Sequence, residues 1–242
     1  MSGTLQKTEE VSFSGKKVPL KAYVAHPDTP ARLPAVIVIQ EWWGLNDHIK
    51  DVTRRFAAEG YFGIAPDLYS RQGHKVTADP NEAGQLMAAL KKEDGIEDLI
   101  STIEWLKQNP AVRAERIGTI GFCMGGSYAL LLPCKTRDIS AAAVFYGEIP
   151  DDQTLQNVSC PIFYAYGEND GWIQRKDVER LAAALKKLGK AGEVKTYPGC
   201  SHGFFNDSRK DVYSSVETAD AWRHVLSLFE QNLKVLGATA SD

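Results

Sequence analysis

The chain has 242 residues, of which 43% are hydrophobic and 24% are charged, and its formal net charge at pH 7 is −3. This composition is typical of a soluble globular protein and excludes a fibrous, collagen-like or wholly disordered chain. Because the charge is small and no basic block is present, we expect a small-molecule ligand and no nucleic-acid or anionic-lipid partner.

The predicted elements begin with an edge hairpin, in which residues 11–14 pair with residues 20–25. Runs of β-branched and aliphatic residues bounded by turn formers then predict buried strands over residues 34–40, 61–65, 116–122, 141–146, 161–166 and 193–197. Apolar residues at the helical period predict helices around residues 49–56, 96–106, 127–132, 178–188 and 212–233. Gly60 and Gly189 follow two of these helices as C-terminal caps, and residues 237–242 are expected to fray.

The alternation of strands and helices predicts an α/β fold with a mostly parallel central sheet and helices on both faces. Active sites of such folds lie just beyond the carboxyl ends of the strands, so the residues that follow each strand are the first candidates for chemistry. No Pro/Gly/Ser-rich linker divides the sequence, and we therefore predict one domain over residues 1–242.

The cellular setting is predicted from features that the sequence lacks. Residues 1–10 do not show the basic-then-apolar pattern of a secretory signal, and no apolar run approaches the ~20 residues of a membrane-spanning helix, so we predict a cytoplasmic protein with no membrane partner. The four cysteines are too scattered for a disulfide framework, and no CxxC pair suggests a metal. We expect free thiols, no metal ion, and a monomer or small homo-oligomer.

A cysteine stands where a predicted strand passes sharply into a helix. The strand over residues 116–122 runs into Gly121-Phe-Cys-Met-Gly-Gly126, and an apolar, helix-like stretch follows. Such a turn strains the central residue and brings neighbouring chain close, which favours glycine at Gly121 and Gly125. The helix N-terminus is expected to favour the thiolate of Cys123, and the N–H of Met124 can face a developing oxyanion. A tight turn over a packed cysteine is the alternative.

A nucleophile of this kind needs an acid and then a histidine at later strand ends. Asp170 follows the fifth buried strand in a turn-rich loop, and His202 follows the sixth. Glu168 and Asp207 are alternatives for the acid, and an Asx turn is the alternative role for Asp170. Cys200 is an alternative redox or metal partner of His202. The other histidines are predicted to be structural or surface residues: His26, His48, His74 and His224.

The loop after the first buried strand, Gln40-Glu-Trp-Trp-Gly-Leu-Asn46, carries a carboxylate among aromatic residues. In this architecture the corresponding loop supplies the second oxyanion N–H, which predicts Trp42 as that donor. A carboxylate at Glu41 in a partly dry pocket is costly unless it has a function or a partner. The alternative to function is an ion pair with one of three arginines: Arg54, Arg55 or Arg71.

These motifs together resemble the dienelactone hydrolase family, the carboxymethylenebutenolidases of the α/β-hydrolase fold. The resemblance covers nearly the whole chain and is carried by residues 40–46 (QEWWGLN), 65–69 (APDLY), 121–126 (GFCMGG), 167–170 (GEND) and 201–204 (SHGF). It implies a triad of Cys123, Asp170 and His202, with the family's glutamate at Glu41 gating the thiol and taking its proton when substrate arrives. It also implies oxyanion donors at Trp42 and Met124, and no metal or organic cofactor.

The sequence departs from the family in the residues that would bind substrate. Family members that open dienelactones hold the substrate carboxylate with two arginines, at positions where this chain has about Pro80 and Asn206. We predict that Arg71 replaces them, with His74, Lys75 and Arg209 as alternatives. The resemblance places Tyr146 at the pocket. We expect two further aromatic residues to shape it, Trp43 and Phe204.

We therefore predict a hydrolase of small ester or lactone substrates that acts through a cysteine thioester. Activated, enol-type esters and lactones suit a sulfur nucleophile, because their leaving groups depart more easily than a thiolate does. Other activated carboxylic esters, thioesters and phosphate triesters are alternative substrates of the same cysteine. A non-catalytic protein of the same fold, whose Cys123 senses oxidants or binds a small ligand, is the alternative of another class.

Overall fold

A computed structural model describes residues 5–234. Eight strands lie within these residues: β1 (Gln6–Ser14), β2 (Pro19–Pro27), β3 (Leu33–Ile39), β4 (Phe62–Pro66), β5 (Val112–Phe122), β6 (Ala141–Phe145), β7 (Ile162–Asn169) and β8 (Gly192–Ser201). They form one sheet in the order β1-β2-β4-β3-β5-β6-β7-β8. The β1–β2 and β2–β4 pairs are antiparallel, and the six strands from β3 onward pair in parallel.

Helices connect the parallel strands and cover the sheet. Those between residues 5 and 234 are α1 (Asp47–Ala58), α2 (Pro80–Ala89), α3 (Lys92–Gln108), α4 (Met124–Leu131), α5 (Asp152–Leu155), α6 (Arg175–Lys187) and α7 (Ser215–Phe229), and a π-helical turn (Glu230–Lys234) follows α7. None of them is long and apolar enough to span a membrane. Every residue of β6 is buried, which requires cover on both faces of the sheet.

The predicted α/β architecture with a mostly parallel sheet is confirmed, and each buried strand predicted from the sequence is present. Several boundaries differ, among them those of β5 and of the C-terminal helix. β5 begins at Val112, before the apolar run that revealed it, and the C-terminal helix begins at Ser215. Val212 is not helical, because its segment forms turns in which Val212 N–H and Tyr213 N–H both donate to the carbonyl of Arg209.

Two helices were missed by the sequence interpretation, the four-residue α5 and the longer α2. α2 begins at Pro80, and its N-cap Asp79 accepts a hydrogen bond of 2.9 Å from Asn81 N–H. Only Ala83 of this helix is fully buried, so the helical apolar period is weak. The predicted fraying of residues 237–242 lies outside the described residues, and a single domain over residues 1–242 remains a prediction.

The parallel strands bring the candidate residues to one edge of the sheet. The segments that follow the carboxyl ends of β3, β5, β6, β7 and β8 contain the residues that were singled out in the sequence. Because the carboxyl ends of parallel strands meet at the same edge, these segments lie together although as many as 160 residues separate them. The functional site is built on this edge.

Candidate active site

Cys123 occupies a strained turn between β5 and α4. Its φ of 55° and ψ of −120° lie in a region that residues with side chains rarely adopt, at a cost of about 1–3 kcal/mol. The turn requires close backbone crossings. A Cβ at Gly121 would lie 2.0 Å from the carbonyl oxygen of Gly125, and a Cβ at Gly125 would lie 2.3 Å from that of Ile39. Both glycines are therefore needed for the turn that presents the thiol.

His202 and Asp170 form a hydrogen-bonded pair at the ends of β8 and β7. His202 Nδ1 lies 2.8 Å from Asp170 Oδ2, and the Asp170 side chain is fully buried. The other carboxylate oxygen accepts hydrogen bonds of 2.8 Å from the backbone N–H groups of Trp172 and Ile173. An imidazole whose Nδ1–H donates to this carboxylate exposes the lone pair of Nε2 as a base. His202 Nε2 is buried and has no hydrogen-bond partner among the described residues.

Cys123 and His202 line the same cavity, which has a volume of about 210 Å³. Glu41, Trp42 and Trp43 line it from the loop after β3, and further walls come from Met87, Trp172, Gly203 and Arg209. The chain therefore brings the predicted nucleophile and the predicted base to one small space. The sequence prediction did not include Met87 and Trp172, which reach the cavity from α2 and from the loop after β7.

The two predicted oxyanion donors lie near the Cys123 sulfur. The backbone N–H groups of Met124 and Trp42 both act on the Cys123 sulfur and lower the pKa of its thiol. Tyr69 supports this arrangement from behind: its hydroxyl donates to the Trp42 carbonyl at 2.9 Å and lies 3.6 Å from Met124 Sδ. When the sulfur moves toward a substrate, the same two N–H groups are free to face an oxygen.

Burial dominates the environment of the Cys123 thiol. Burial, and secondly the neighbouring Glu41 carboxylate, raise the pKa of the Cys123 thiol far above its ordinary value, and the two backbone N–H groups lower it only in part. The backbone N–H groups thus favour the thiolate, as expected for a helix N-terminus, but burial outweighs them. The physical reason is that Cys123 is only 7% exposed, so desolvation of the anion outweighs the helix dipole.

Glu41 lies buried beside the thiol. Burial raises the pKa of its carboxyl group, while His48 and a 2.6 Å hydrogen bond from Asn206 Nδ2 oppose that rise. The alternative of an ion pair with an arginine is wrong. Arg54 pairs with Asp51, Arg55 with Asp51 and Asp207, and Arg71 with Asp98. The carboxylate thus faces the cavity with an amide as its side-chain partner.

His48 is a buried neighbour of Glu41 that the sequence interpretation treated as structural. Its Nδ1 lies 3.1 Å from Asp207 Oδ1, and its Nε2 is buried without a hydrogen-bond partner in the described part of the chain. The Asp207–His48 pair resembles the Asp170–His202 pair in chemistry, but neither residue lines the cavity. Asp207 is thereby placed away from His202. Glu168, the other alternative acid, pairs with Arg175 at 3.0 Å.

Two of the predicted substrate contacts are placed elsewhere by the structure. Phe204 is fully buried, because the chain turns inward at Gly203 (φ 83°), and its ring packs against those of Tyr146 and Tyr197. Arg71 is held by the buried Asp98 and does not line the cavity. The positions of Phe204 and Arg71 therefore do not support these two predicted substrate contacts.

The other two predicted contacts lie at or beside the cavity. Trp43 lines it, and the Arg209 guanidinium lies 6.0 Å from its ring centroid. Arg209, one of the alternatives to Arg71, is therefore the arginine that reaches the cavity. Tyr146 lies behind His202, with ring centroids 4.8 Å apart, and its buried hydroxyl has no hydrogen-bond partner among residues 5–234. Burial raises the pKa of Tyr146 well above its usual value, so its hydroxyl stays protonated.

The remaining candidates have structural surroundings. His26, His74 and His224 each place Nδ1 within 2.9 Å of an oxygen and do not line the cavity. Cys200 is buried. Between residues 5 and 234 no group of three or more His, Cys, Asp or Glu side chains is arranged to hold a metal ion, so the metal role considered for Cys200 has no support in this part of the chain.

The fold and the site define a class of protein. A mostly parallel sheet, a strained residue between a central strand and a helix, and a histidine–aspartate pair at two later strand ends are the features of an α/β hydrolase. The chain belongs to the dienelactone hydrolase family, because a sequence model of that family matches residues 20–233. The resemblance stated from the sequence motifs is thereby confirmed.

The chain is also similar to individual proteins of known sequence or structure. A Synechocystis sp. protein, assigned provisionally as a carboxymethylenebutenolidase, is 35% identical over 243 residues, covering 94% of this chain and 98% of its own. A provisionally assigned dienelactone hydrolase of Klebsiella pneumoniae has a crystal structure that matches with a TM-score of 0.88 at 29% identity, covering 94% of this chain and 99% of its own. A dienelactone hydrolase-like promiscuous phosphotriesterase from metagenomic libraries shares the fold, with a TM-score of 0.85 at 18% identity and coverage of 94% and 98%.

Proposed function

We propose that the protein hydrolyses carboxylic ester or lactone bonds, with Cys123 as nucleophile, His202 as general base and Asp170 as the carboxylate that orients the histidine. The observation that carries the proposal is the shared cavity. Cys123 and His202 open onto the same space of about 210 Å³, and His202 Nε2 has no partner that would compete for a proton. The backbone N–H groups of Met124 and Trp42 supply the oxyanion hole.

The reaction begins from a neutral thiol. The Glu41 carboxylate and burial keep the proton on Cys123 until substrate arrives, which gives Glu41 the role of a gate. A substrate carbonyl oxygen that binds the two backbone N–H groups displaces the sulfur from them. The resemblance implies that Glu41 takes the thiol proton, but we assign this role to His202 Nε2, which is without a hydrogen-bond partner among the described residues and belongs to a residue that lines the cavity with Cys123. The proton moves to this nitrogen as the sulfur attacks the carbonyl carbon.

A thioester forms and is then hydrolysed. The tetrahedral oxyanion rests on the N–H groups of Trp42 and Met124, and His202 returns its proton to the leaving oxygen as the ester bond breaks. Water enters, His202 takes one of its protons, and the hydroxide attacks the thioester carbonyl. The sulfur leaves, regains a proton, and the carboxylic acid is released. Asp170 fixes the tautomer of His202 in both steps.

The substrate class follows from the nucleophile. A thiolate departs more readily than an ordinary alkoxide, so the tetrahedral intermediate goes forward when the leaving group is an enolate, a phenolate or a lactone oxygen of similar character. Dienelactone itself is not assigned, because Pro80 and Asn206 stand where dienelactone-opening relatives have arginines. Arg209 remains as a cation at the cavity wall.

Steady-state hydrolysis tests this proposal. We expect p-nitrophenyl acetate and an enol lactone to be turned over by the wild type, and kcat to fall by at least about 10³-fold in Cys123→Ala. Cys134→Ala and Cys160→Ala are matched controls, because both cysteines are buried thiols away from the cavity. Turnover in Cys123→Ala equal to that of the controls would rule the proposal out. A phosphate triester belongs in the same panel, since one structural neighbour is described as a phosphotriesterase.

The thiol-sensor alternative is less well supported by the geometry. Oxidant-sensing cysteines are exposed and have a lowered pKa, whereas Cys123 is 7% exposed and the pKa of its thiol is raised. A sensor also has no use for two converging N–H groups or for an oriented imidazole. Acylation without turnover by an activated ester would favour the sensor over the enzyme.

A further inference from the structure

A second concavity, of about 700 Å³, opens beside the catalytic cavity and is lined by residues of α2, α3, α4 and the loop before α5. We call it the α2–α4 groove. Met87 and Trp172 line both spaces, so the groove adjoins the cavity directly. Met124 connects them too, because its backbone N–H acts on the Cys123 sulfur while the residue also lines the groove. The reaction steps above do not use this groove.

The floor of the α2–α4 groove is apolar and firmly packed. Leu90, Ile96, Tyr128 and Leu131 line it, and each is at most 9% exposed. Tyr128 can lie in the floor because α3 has a glycine opposite it: a Cβ at Gly95 would lie 2.6 Å from the tyrosine ring. Binding of an apolar ligand to a preformed surface of this kind is favourable, because it removes apolar area from water.

The rim of the groove is charged, with an excess of carboxylates. Two lysines and four acidic residues line it: Lys92, Lys135, Glu93, Glu97, Glu148 and Asp151. Glu97 is paired with Lys16 and Lys17 outside the groove, so three carboxylates face two lysines. A chain with a free carboxylate at its far end would meet this acidic excess and be disfavoured. The charge pattern therefore favours a neutral apolar chain.

The volumes of the catalytic cavity and of the α2–α4 groove also favour a substrate arm in the groove. Pockets for organic ligands usually measure about 300–1,000 Å³. The catalytic cavity, at about 210 Å³, is smaller than that range and holds only a short ester, whereas the α2–α4 groove, at about 700 Å³, lies within it. An ester that places its carbonyl at Cys123 and carries one long arm can lay that arm past Met87 and Trp172 in the groove, because these two residues line both spaces.

We propose that the α2–α4 groove binds the neutral, linear apolar arm of the substrate, so that medium-chain esters are the substrate class of this enzyme. This inference rests on the proposed ester hydrolysis at Cys123. Burial of methylenes in the groove should raise kcat/KM along the p-nitrophenyl series from acetate to octanoate by roughly 10²-fold. A parallel comparison of methyl and octyl acetate by pH-stat shows whether the acyl or the alkyl arm enters the groove; a preference in either series supports the proposal.

The groove is tested by filling it. Ile149, half-buried in the loop after β6, lines the groove, and Ile149→Trp should lower the octanoate-to-acetate ratio of kcat/KM by about tenfold or more. Ile100→Trp is the matched control, because Ile100 is also half-buried but lines neither space; its ratio should equal that of the wild type. Thr154→Trp, at another point of the groove, replaces Ile149→Trp if that variant does not fold.

A binding measurement separates the groove from the chemistry. Octanamide is a neutral linear ligand that ester hydrolysis does not consume, and calorimetry should show that it binds the wild type and Ile100→Trp but binds Ile149→Trp at least about tenfold more weakly. Two results would overturn the groove proposal alone. One is a kcat/KM that does not change with chain length in either ester series while turnover still depends on Cys123. The other is octanamide binding that neither Ile149→Trp nor Thr154→Trp weakens. Octanamide binding without any Cys123-dependent turnover would overturn the proposed reaction and leave the groove standing.

Discussion

The change Asp170→Asn tests the histidine–aspartate pair in isolation. The carboxylate accepts hydrogen bonds of 2.8 Å from His202 Nδ1 and from the backbone N–H groups of Trp172 and Ile173. The side-chain oxygen of an asparagine can keep both backbone bonds, so the loop should retain its structure. The amide nitrogen would donate toward His202 Nδ1, which moves the imidazole proton to Nε2 and leaves that nitrogen unable to accept a proton.

The magnitude follows from the loss of the base. General-base catalysis contributes about 10²–10⁴-fold, so we expect kcat for p-nitrophenyl acetate to fall by about 10³-fold in Asp170→Asn. This corresponds to about 4 kcal/mol of transition-state stabilisation. The midpoint of thermal unfolding should change by only a few degrees, because the backbone bonds to Trp172 and Ile173 remain.

The chain offers a matched control in its second aspartate–histidine pair. Asp207 Oδ1 lies 3.1 Å from His48 Nδ1, outside the cavity lining, so Asp207→Asn should change kcat by less than about threefold. Asp207 is also the alternative acid that the sequence left open. An Asp170→Asn protein that keeps more than a tenth of wild-type kcat, or an Asp207→Asn protein that loses as much as Asp170→Asn, would refute the assignment of the acid.

Three further measurements concern the groups packed around Cys123. Because burial raises the pKa of Glu41 above 4.5, the wild type should lose stability as pH rises from that value through the folded-state pKa. Glu41→Gln has no carboxyl group to ionise at this position, so this loss of stability should be absent. In urea unfolding the variant should be more stable than the wild type at pH 7 but not at pH 4. Equal stability of the two proteins at both pH values would contradict a raised pKa of Glu41. Tyr69→Phe removes the hydroxyl that donates to the Trp42 carbonyl. It should lower the free energy of unfolding by about 1 kcal/mol and lower kcat by roughly tenfold. An unchanged kcat would show that Tyr69 does not support the oxyanion loop. Because the pKa of the Cys123 thiol is raised, the ultraviolet thiolate absorbance of wild type minus Cys123→Ala should stay flat between pH 6 and 9; a titration step in that range would contradict the neutral resting thiol.

The sequence was sufficient for those parts of the fold that depend on local pattern. β-Branched runs revealed the parallel strands, and the glycines around Cys123 revealed the sharp turn because only glycine permits the backbone crossings at Gly121 and Gly125. The order of Cys123, Asp170 and His202 in the chain predicted three strand ends that the sheet does bring to one edge.

The positions of side chains in the fold and their burial could not be predicted from the sequence. Arg71 was chosen over Arg209 although, of the two, it is Arg209 that lines the cavity. The ion pair that holds Arg71 on Asp98, 27 residues along the chain, is formed by the fold and leaves no mark in the sequence. The effect of burial on the pKa of the Cys123 thiol could not be predicted either, because helix position is visible in a sequence and desolvation is not. The α2–α4 groove could not be predicted either, since α2 buries too few residues to show a helical period.

A covalent thioester on Cys123 can be detected by mass spectrometry of the protein quenched in acid during turnover of p-nitrophenyl acetate, with peptide mapping of the product. We expect a mass increase of one acetyl group in place of a hydrogen, located on the peptide that contains Cys123, and its accumulation in Asp170→Asn if deacylation becomes the slower step. An acetyl group found on another side chain, or wild-type turnover by Cys123→Ala with no covalent adduct, would contradict the central claim that this sulfur forms the bond to substrate.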